Sequence, residues 1–186
     1  RHTAAPADPV EWIAREFYIP ETGGPMPLAP YHIAALREAY RTVEGKFAYS
    51  TVLWSDIKKS AKSSIAAAVI LHRAFHTPHG MFRIVANDLR QADSRVFFYA
   101  RRAIELNSRL RGQAVVKNYR ISLSNKAIIE AVPVDPSGEA GGNDDFIEFT
   151  ELHAASSKAA VKMWSEMTIP PTKYGRAQRW IDTYAG

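Results

Sequence analysis

The sequence predicts an α/β fold of three layers, with a mostly parallel central sheet flanked by helices. Three observations lead there. Short β-forming segments alternate with helical ones along the 186 residues, an order that implies parallel pairing with helices on both sheet faces. Apolar residues make up 46% of the chain, including four Trp, eight Tyr and eight Phe, enough for a full core. Finally, the polar segments with chemical potential come directly after strands, where ligands sit in open α/β sheets.

The elements follow in order. Trp12 to Tyr18 reads as a short helix with Trp12, Ile13 and Phe17 on one side. Pro20 to Pro30 is too rich in Pro and Gly for helix or strand. A helix from Tyr31 to Val43 carries Ile33, Leu36 and Tyr40 at helical spacing. Phe47 to Trp54 reads as a buried strand, Ser55 to Ala61 as a polar turn, and Ser63 to Phe75 as an apolar helix. Phe82 to Ala86 is a second strand. Asp88 to Asn107 is a long helix opened by a capping box, Asp88 with Gln91, and buried through Val96, Phe97, Ala100 and Ile104. Three short strands follow, Ala114 to Lys117, Tyr119 to Leu123 and Ala127 to Val132. Asp135 to Asp145 is a loop, Phe146 to Thr150 a strand, Ala154 to Met167 a helix stopped by Pro170 and Pro171, and Trp180 to Tyr184 a last strand.

Bulk properties exclude several classes. There are no cysteines, so neither a disulfide scaffold nor a thiolate metal site exists, and a reducing cytoplasm is the compatible compartment. No apolar run has the length of a membrane span, and the first nine residues lack a signal-peptide core. A net charge of +5 suits a polyanionic partner. From Arg90 to Arg120 eight Lys or Arg stand against Asp93 and Glu105, either as a contact surface or as a solvated helix face.

Asp56-Ile57-Lys58-Lys59-Ser60-Ala61-Lys62-Ser63 has the spacing of a phosphate-binding loop, with both glycines replaced, by Asp56 and Ala61. It stands between a strand and an apolar helix, where backbone N–H groups and the helix dipole favour anions. Lys62 is placed for the β- and γ-phosphates of a nucleotide and the Ser63 hydroxyl for Mg²⁺. Alanine at position 61 is compatible with such a loop if its φ stays negative. Lys58 and Lys59 would offset the charge of Asp56. The competing reading is a Lys/Ser-rich turn that merely opens a helix.

Phe146 to His153 is an acidic strand with Glu151 where a water-polarising glutamate is expected. Thr150 stands where an Mg²⁺-binding aspartate is expected, so it would act only indirectly, as a hydroxyl partner of metal-bound water. Glu148 projects from the same strand face, one pleat back. The alternative is an edge strand without chemistry. His72 and His76 lie four apart, and a solvated helix face is the simpler account than a metal pair.

Together these segments resemble the ATPase domain of phage terminase large subunits, in order from about Phe17 to Gly186. Pro20-Glu-Thr-Gly with Leu28 to His32 resembles the family's adenine-side segment, Tyr31 and His32 standing at its aromatic-Gln pair. Lys59-Ser60-Ala61-Lys62-Ser63 resembles its divergent Walker A. Ala86-Asn87-Asp88 with Gln91-Ala92, Gly142-Asn143, and Glu151 to Ala154 match its second strand and Walker B surroundings. Thr183 to Gly186 resembles its coupling motif.

The resemblance implies a P-loop NTPase of the ASCE type. Residues 1–45 would hold the N-terminal helices and adenine-side segment and 46–186 the nucleotide-binding core, without the nuclease domain. It implies ATP and Mg²⁺ as cofactors and residues Asp56 to Ser64 with Tyr31 and His32 as the binding set. Glu151 would orient the lytic water, Lys62 and Lys58 would stabilise transferring charge, and Thr183 would couple nucleotide state to movement. Arg95, Arg101 or Arg102 would supply a cation to a neighbouring subunit. Expected partners are double-stranded DNA, a portal protein, a small terminase subunit and further copies in a five-membered ring, in the host cell cytoplasm and without a membrane. The rival functions are a helicase-like P-loop ATPase and a nucleotide-binding assembly module that does not hydrolyse ATP.

Overall fold

In a computed structural model, which describes residues 8–86, 95–134, 142–150 and 158–183, the alternating segments close into a seven-stranded sheet with helices on both faces. The elements run α1 Pro9–Glu16, β1 Tyr18–Ile19, β2 Gly24–Pro25, α2 Pro30–Ala39, β3 Thr42–Val43, β4 Lys46–Phe47, β5 Thr51–Ser55, α3 Lys62–His76 and β6 Met81–Ala86. Then come α4 Val96–Leu106, α5 Ser108–Arg111, β7 Ala114–Lys117, β8 Arg120–Leu123, β9 Ile128–Pro133, β10 Phe146–Thr150, α6 Lys158–Glu166, a 3₁₀ turn Pro171–Lys173 and β11 Gln178–Thr183.

The sheet order is β5-β11-β10-β6-β9-β8-β7. The first five strands are parallel neighbours. Strands β8 and β7 continue antiparallel, as a hairpin allows where a crossover is not needed. The neighbour of β5 in space is therefore β11, and β10 lies one place further in. This interposed strand is the arrangement expected of the ASCE type.

Strand alternation sorts the two faces. Phe146 and Trp180 join the larger core with Ile65, Val69 and Ile70 of α3 and Phe97 and Ala100 of α4. Ile147, Phe149 and Ile181 point the other way and pack with Met163 and Met167 at α6. Ala66, Ala67 and Ala68 are fully buried, and their small side chains bring α3 close to the sheet. Each buried aromatic such as Trp180 or Phe146 contributes ~2–3 kcal/mol relative to exposure. Helix α1 starts cleanly: Pro9 occupies its first turn, and Asp8 Oδ1 accepts from Glu11 N at 3.0 Å.

Several expectations are corrected. The segment 47–54 is not one buried strand. Glu44 and Gly45, both at positive φ, turn a small β3–β4 hairpin, and β5 starts only at Thr51. Strand β5 is the sheet's edge, so Leu53 is 63% exposed. Pro20 to Pro30 contains half of a two-residue ladder, β1 with β2. His72 does not lie on a solvated face. It is buried, stacks near His76 and meets the Tyr40 hydroxyl at 3.0 Å through Nδ1. The alternative of an edge strand for Phe146 to Thr150 is also overturned, because β10 is central and buried at every position. The capping box at Asp88 and Gln91 lies outside the described residues. No helix among the described residues is long and apolar enough to cross a membrane.

Candidate nucleotide site

The polar segment after β5 forms one wall of a cleft of about 740 Å³ at the carboxyl end of the parallel strands. Lys58, Lys59, Ala61, Lys62, Ser63 and Ser64 line it from the loop and the start of α3. Ile19, Glu21, Met26 and Pro27 line it from the β1–β2 ladder and its flanks, with His32 from α2. Arg95 and Tyr99, at the head of α4, close the far side. The Tyr99 hydroxyl donates to Glu21 at 2.8 Å and so ties the walls together. Burial, then that hydrogen bond, pushes the Tyr99 phenol above its ordinary range.

Among the described residues, four cations therefore face one space with a single lining acid, Glu21. The first turn of α3 adds its backbone N–H groups and dipole, which together favour a polyphosphate. The loop itself is folded on the carbonyl of Ile57. Ser60 Oγ donates to it at 2.7 Å and Lys62 Nζ at 2.5 Å. Asp56 turns its carboxylate to its own neighbour, accepting from Ile57 N at 2.7 Å. Asp56, Ile57 and Ser60 thus shape the loop without lining the cleft.

Ala61 has φ +66°, so the condition under which an alanine would sit there without strain, a negative φ, is not met. The turn has a left-handed conformation that glycine adopts without steric cost, and a Cβ there costs ~1–2 kcal/mol. Lys59 also has φ +66°. The loop holds two non-glycine residues in the left-handed region, at the expense of local strain.

His32 is buried, and its Nδ1 accepts from Ala29 N at 3.2 Å. With Nδ1 accepting, the ring's N–H is at Nε2, which has no partner among the described residues. Tyr31 stacks near His32 but is half exposed and does not line the cleft.

Behind the loop, three residues of two strands converge. Thr150 ends β10 and Asp182 is its register partner on β11. Both are buried, and both lie on the α3 face by alternation from Phe146 and Trp180. Ser63 Oγ donates to Asp182 Oδ2 at 3.2 Å. Thr150 Oγ1 donates to Glu148 Oε2 at 2.8 Å, so the expected Glu148–Thr150 face is present. Burial, then the charge of Asp182 and a hydrogen bond with it, pushes the Glu148 carboxyl well above the usual range, while Thr150 pulls the other way. Glu148 Oε1 is buried without a partner among the described residues.

Asp182 is the residue that sequence reasoning missed. Its neighbour Thr183 was the expected coupling residue, but only strand register brings Asp182 to Ser63. Thr183 itself pairs with Ser55, the last residue of β5, and its carbonyl accepts from Asp56 N at 3.4 Å. Glu151 lies outside the described residues, as do Tyr184 to Gly186. Arg95 lines the cleft of its own chain, whereas Arg101 and Arg102 lie beside Glu105, at 3.9 and 2.5 Å. Among the described residues no group of three or more His, Asp or Glu is arranged to hold a metal ion. Ser63 and the carboxylate behind it are hard oxygen donors, which suits a Mg²⁺ that takes one or two protein ligands and completes its shell with phosphates and water.

No family model matches the sequence, and no curated protein does. Solved structures do. The large terminase of bacteriophage HK97 aligns with a TM-score of 0.76 at 15% identity, over 95% of this chain and 37% of that one. The large terminase of a thermophilic bacteriophage, in complex with ADP, aligns with a TM-score of 0.59 at 11% identity, over 84% of this chain and 39% of that one. The same terminase in complex with ATP-gamma-S gives 0.58 at 11% identity, over 84% and 38%. The chain thus spans well under half the length of these proteins. It has the fold of the ATPase portion of phage large terminases.

Proposed function

We propose that this chain binds Mg²⁺-ATP in the cleft above α3 and hydrolyses it, as the motor domain of a viral terminase large subunit that translocates double-stranded DNA. The observation that carries this reading is the convergence of Lys58, Lys59, Lys62 and Arg95 on one cleft at the head of α3, backed by the Ser63–Asp182 contact. The likeness to large terminases solved with ADP and ATP-gamma-S supports it.

Lys62 and the α3 amides hold the β- and γ-phosphates, and binding draws Lys62 off the Ile57 carbonyl. Lys58 adds a second cation. Ser63 offers the hydroxyl for Mg²⁺, which, when bound, neutralises phosphate charge as it moves in the transition state. Glu151 orients the attacking water. Arg95 reaches the nucleotide from its own chain, leaving Arg101 and Arg102 as cations for a neighbouring copy. His32 Nε2–H is a donor for the purine ring. Thr183 passes nucleotide state onward through its contact with the loop. The portal protein, the small terminase subunit and a five-membered ring are the partners of this role, in the host cytoplasm, and DNA contact is electrostatic and salt-sensitive.

A second reading, a nucleotide-binding module without hydrolysis, is favoured by Thr150 and by the strained Ala61. Phosphate release from ATP by the assembled protein separates the two. Loss of release in Glu151→Gln, with ATP-gamma-S binding retained, supports the motor. Binding without release in the assembled wild type supports the module. No binding by wild type, or binding untouched by Lys62→Ala, overturns the site.

A further inference from the structure

We propose that Asp182, on β11, supplies the metal-facing carboxylate of this site in place of a carboxylate at Thr150 on β10. The inference rests on the Mg²⁺-ATP reading above. A phosphate-loop site needs a hard carboxylate oxygen near the loop hydroxyl, and Thr150 carries none. Its hydroxyl is turned to Glu148 at 2.8 Å, away from that task.

The register shows where the carboxylate went. Asp182 is the direct neighbour of Thr150 across the β10–β11 ladder, one strand spacing of ~5 Å to the side. It points to the same sheet face, because Trp180, two residues earlier, packs with Phe146 in the α3 core while Ile181 packs on the opposite face. The shift carries the group toward β5 and the loop, since β11 lies between β10 and β5. There Asp182 Oδ2 accepts from Ser63 Oγ at 3.2 Å, the hydroxyl at the second position of α3. Asp182 is 1% exposed, so its carboxylate has been desolvated at that spot without an apolar purpose. A second buried oxygen, Glu148 Oε1, stands nearby without a partner among the described residues. The hydroxyl stands on β10, as Thr150, and the carboxylate beside it on β11, as Asp182.

The test reads metal binding apart from turnover. ATP-gamma-S is titrated into the full chain by calorimetry, in EDTA and with Mg²⁺. In wild type Mg²⁺ tightens binding. In Asp182→Asn the EDTA affinity is kept and the Mg²⁺ increment falls about tenfold, whereas an increment equal to wild type overturns the proposal. The exchange variant, Thr150→Asp with Asp182→Thr, regains the increment. It also decides the matter if Asp182→Asn alone fails to fold: an exchange variant that binds ATP-gamma-S in EDTA but gains nothing from Mg²⁺ overturns the proposal. Wild type that binds no ATP-gamma-S under either condition overturns the nucleotide reading itself, and this inference with it.

Discussion

Strands β10 and β11 bury carboxyl groups at both ends, and the two ends treat them in opposite ways. At the amino end each has a cation. Asp145 meets Lys173 Nζ at 2.6 Å with both side chains buried, and Asp144 meets Arg83 at 2.9 Å. Arg73, at the end of α3, adds bonds to Gln178 at 2.8 Å and to the Arg176 carbonyl at 2.6 Å. At the carboxyl end Glu148 meets another carboxyl, Asp182, and the hydroxyls are those of Thr150 and Ser63. One end is neutralised inside the protein and serves as an anchor. The other holds negative charge beside a cleft lined with cations, which suits a site completed by something from outside.

This contrast can be broken by mutation. The largest effect is expected at the anchor. Lys173→Ala leaves Asp145 buried without its cation and lowers unfolding stability by about 3 kcal/mol, as read from denaturant melts. A loss of only a few tenths would mean that this pair does not anchor the sheet. At the other end the strain lies in the backbone. Ala61→Gly removes the Cβ at φ +66° and raises stability by about 1 kcal/mol, after the extra freedom glycine gains in the unfolded chain. A destabilised Ala61→Gly would refute the left-handed turn.

The smallest effect, read at acid pH, is expected at Glu148. Its folded value is raised above the ordinary 4.5, so it favours folding fully below that pH, and stability falls as pH climbs from there toward the raised value. Glu148→Gln mimics the protonated acid, still accepts from Thr150, and at about pH 4 changes stability by about 1 kcal/mol or less. Its melting temperature should fall less than that of wild type as pH rises above the ordinary carboxylate range, because only wild type has a carboxyl that the folded state keeps protonated while the unfolded chain gives its proton up. Parallel curves would place the charge elsewhere.

Much of this was legible from residue order. Alternating segments gave the three layers, and α3 and β6 fall within a residue or so of their expected ends, because long apolar runs bounded by polar turns leave little choice. Lys58, Lys59, Lys62 and Ser63 were found by spacing, since one loop holds them. Three things were not legible. The hairpin at Glu44 and Gly45 was hidden by a β-forming run with no alternation. The φ of Ala61 could not be read from the residue, because loop closure overrides alanine's local preference for negative φ. Asp182 was passed over because its role depends on which residue of β10 faces it, and register is a property of two distant segments rather than of either one.

The bond from Asp56 N to the Thr183 carbonyl, at 3.4 Å, lies just past the β5–β11 ladder and is long for its kind. Below it the strands are stitched residue by residue and behave as one plate. Above it the loop rests on its own internal bonds to Ile57. A tug on the loop reaches the sheet through that bond, at the seam between a stiff plate and the loop. Amide exchange at Asp56 is where such loading would first be felt.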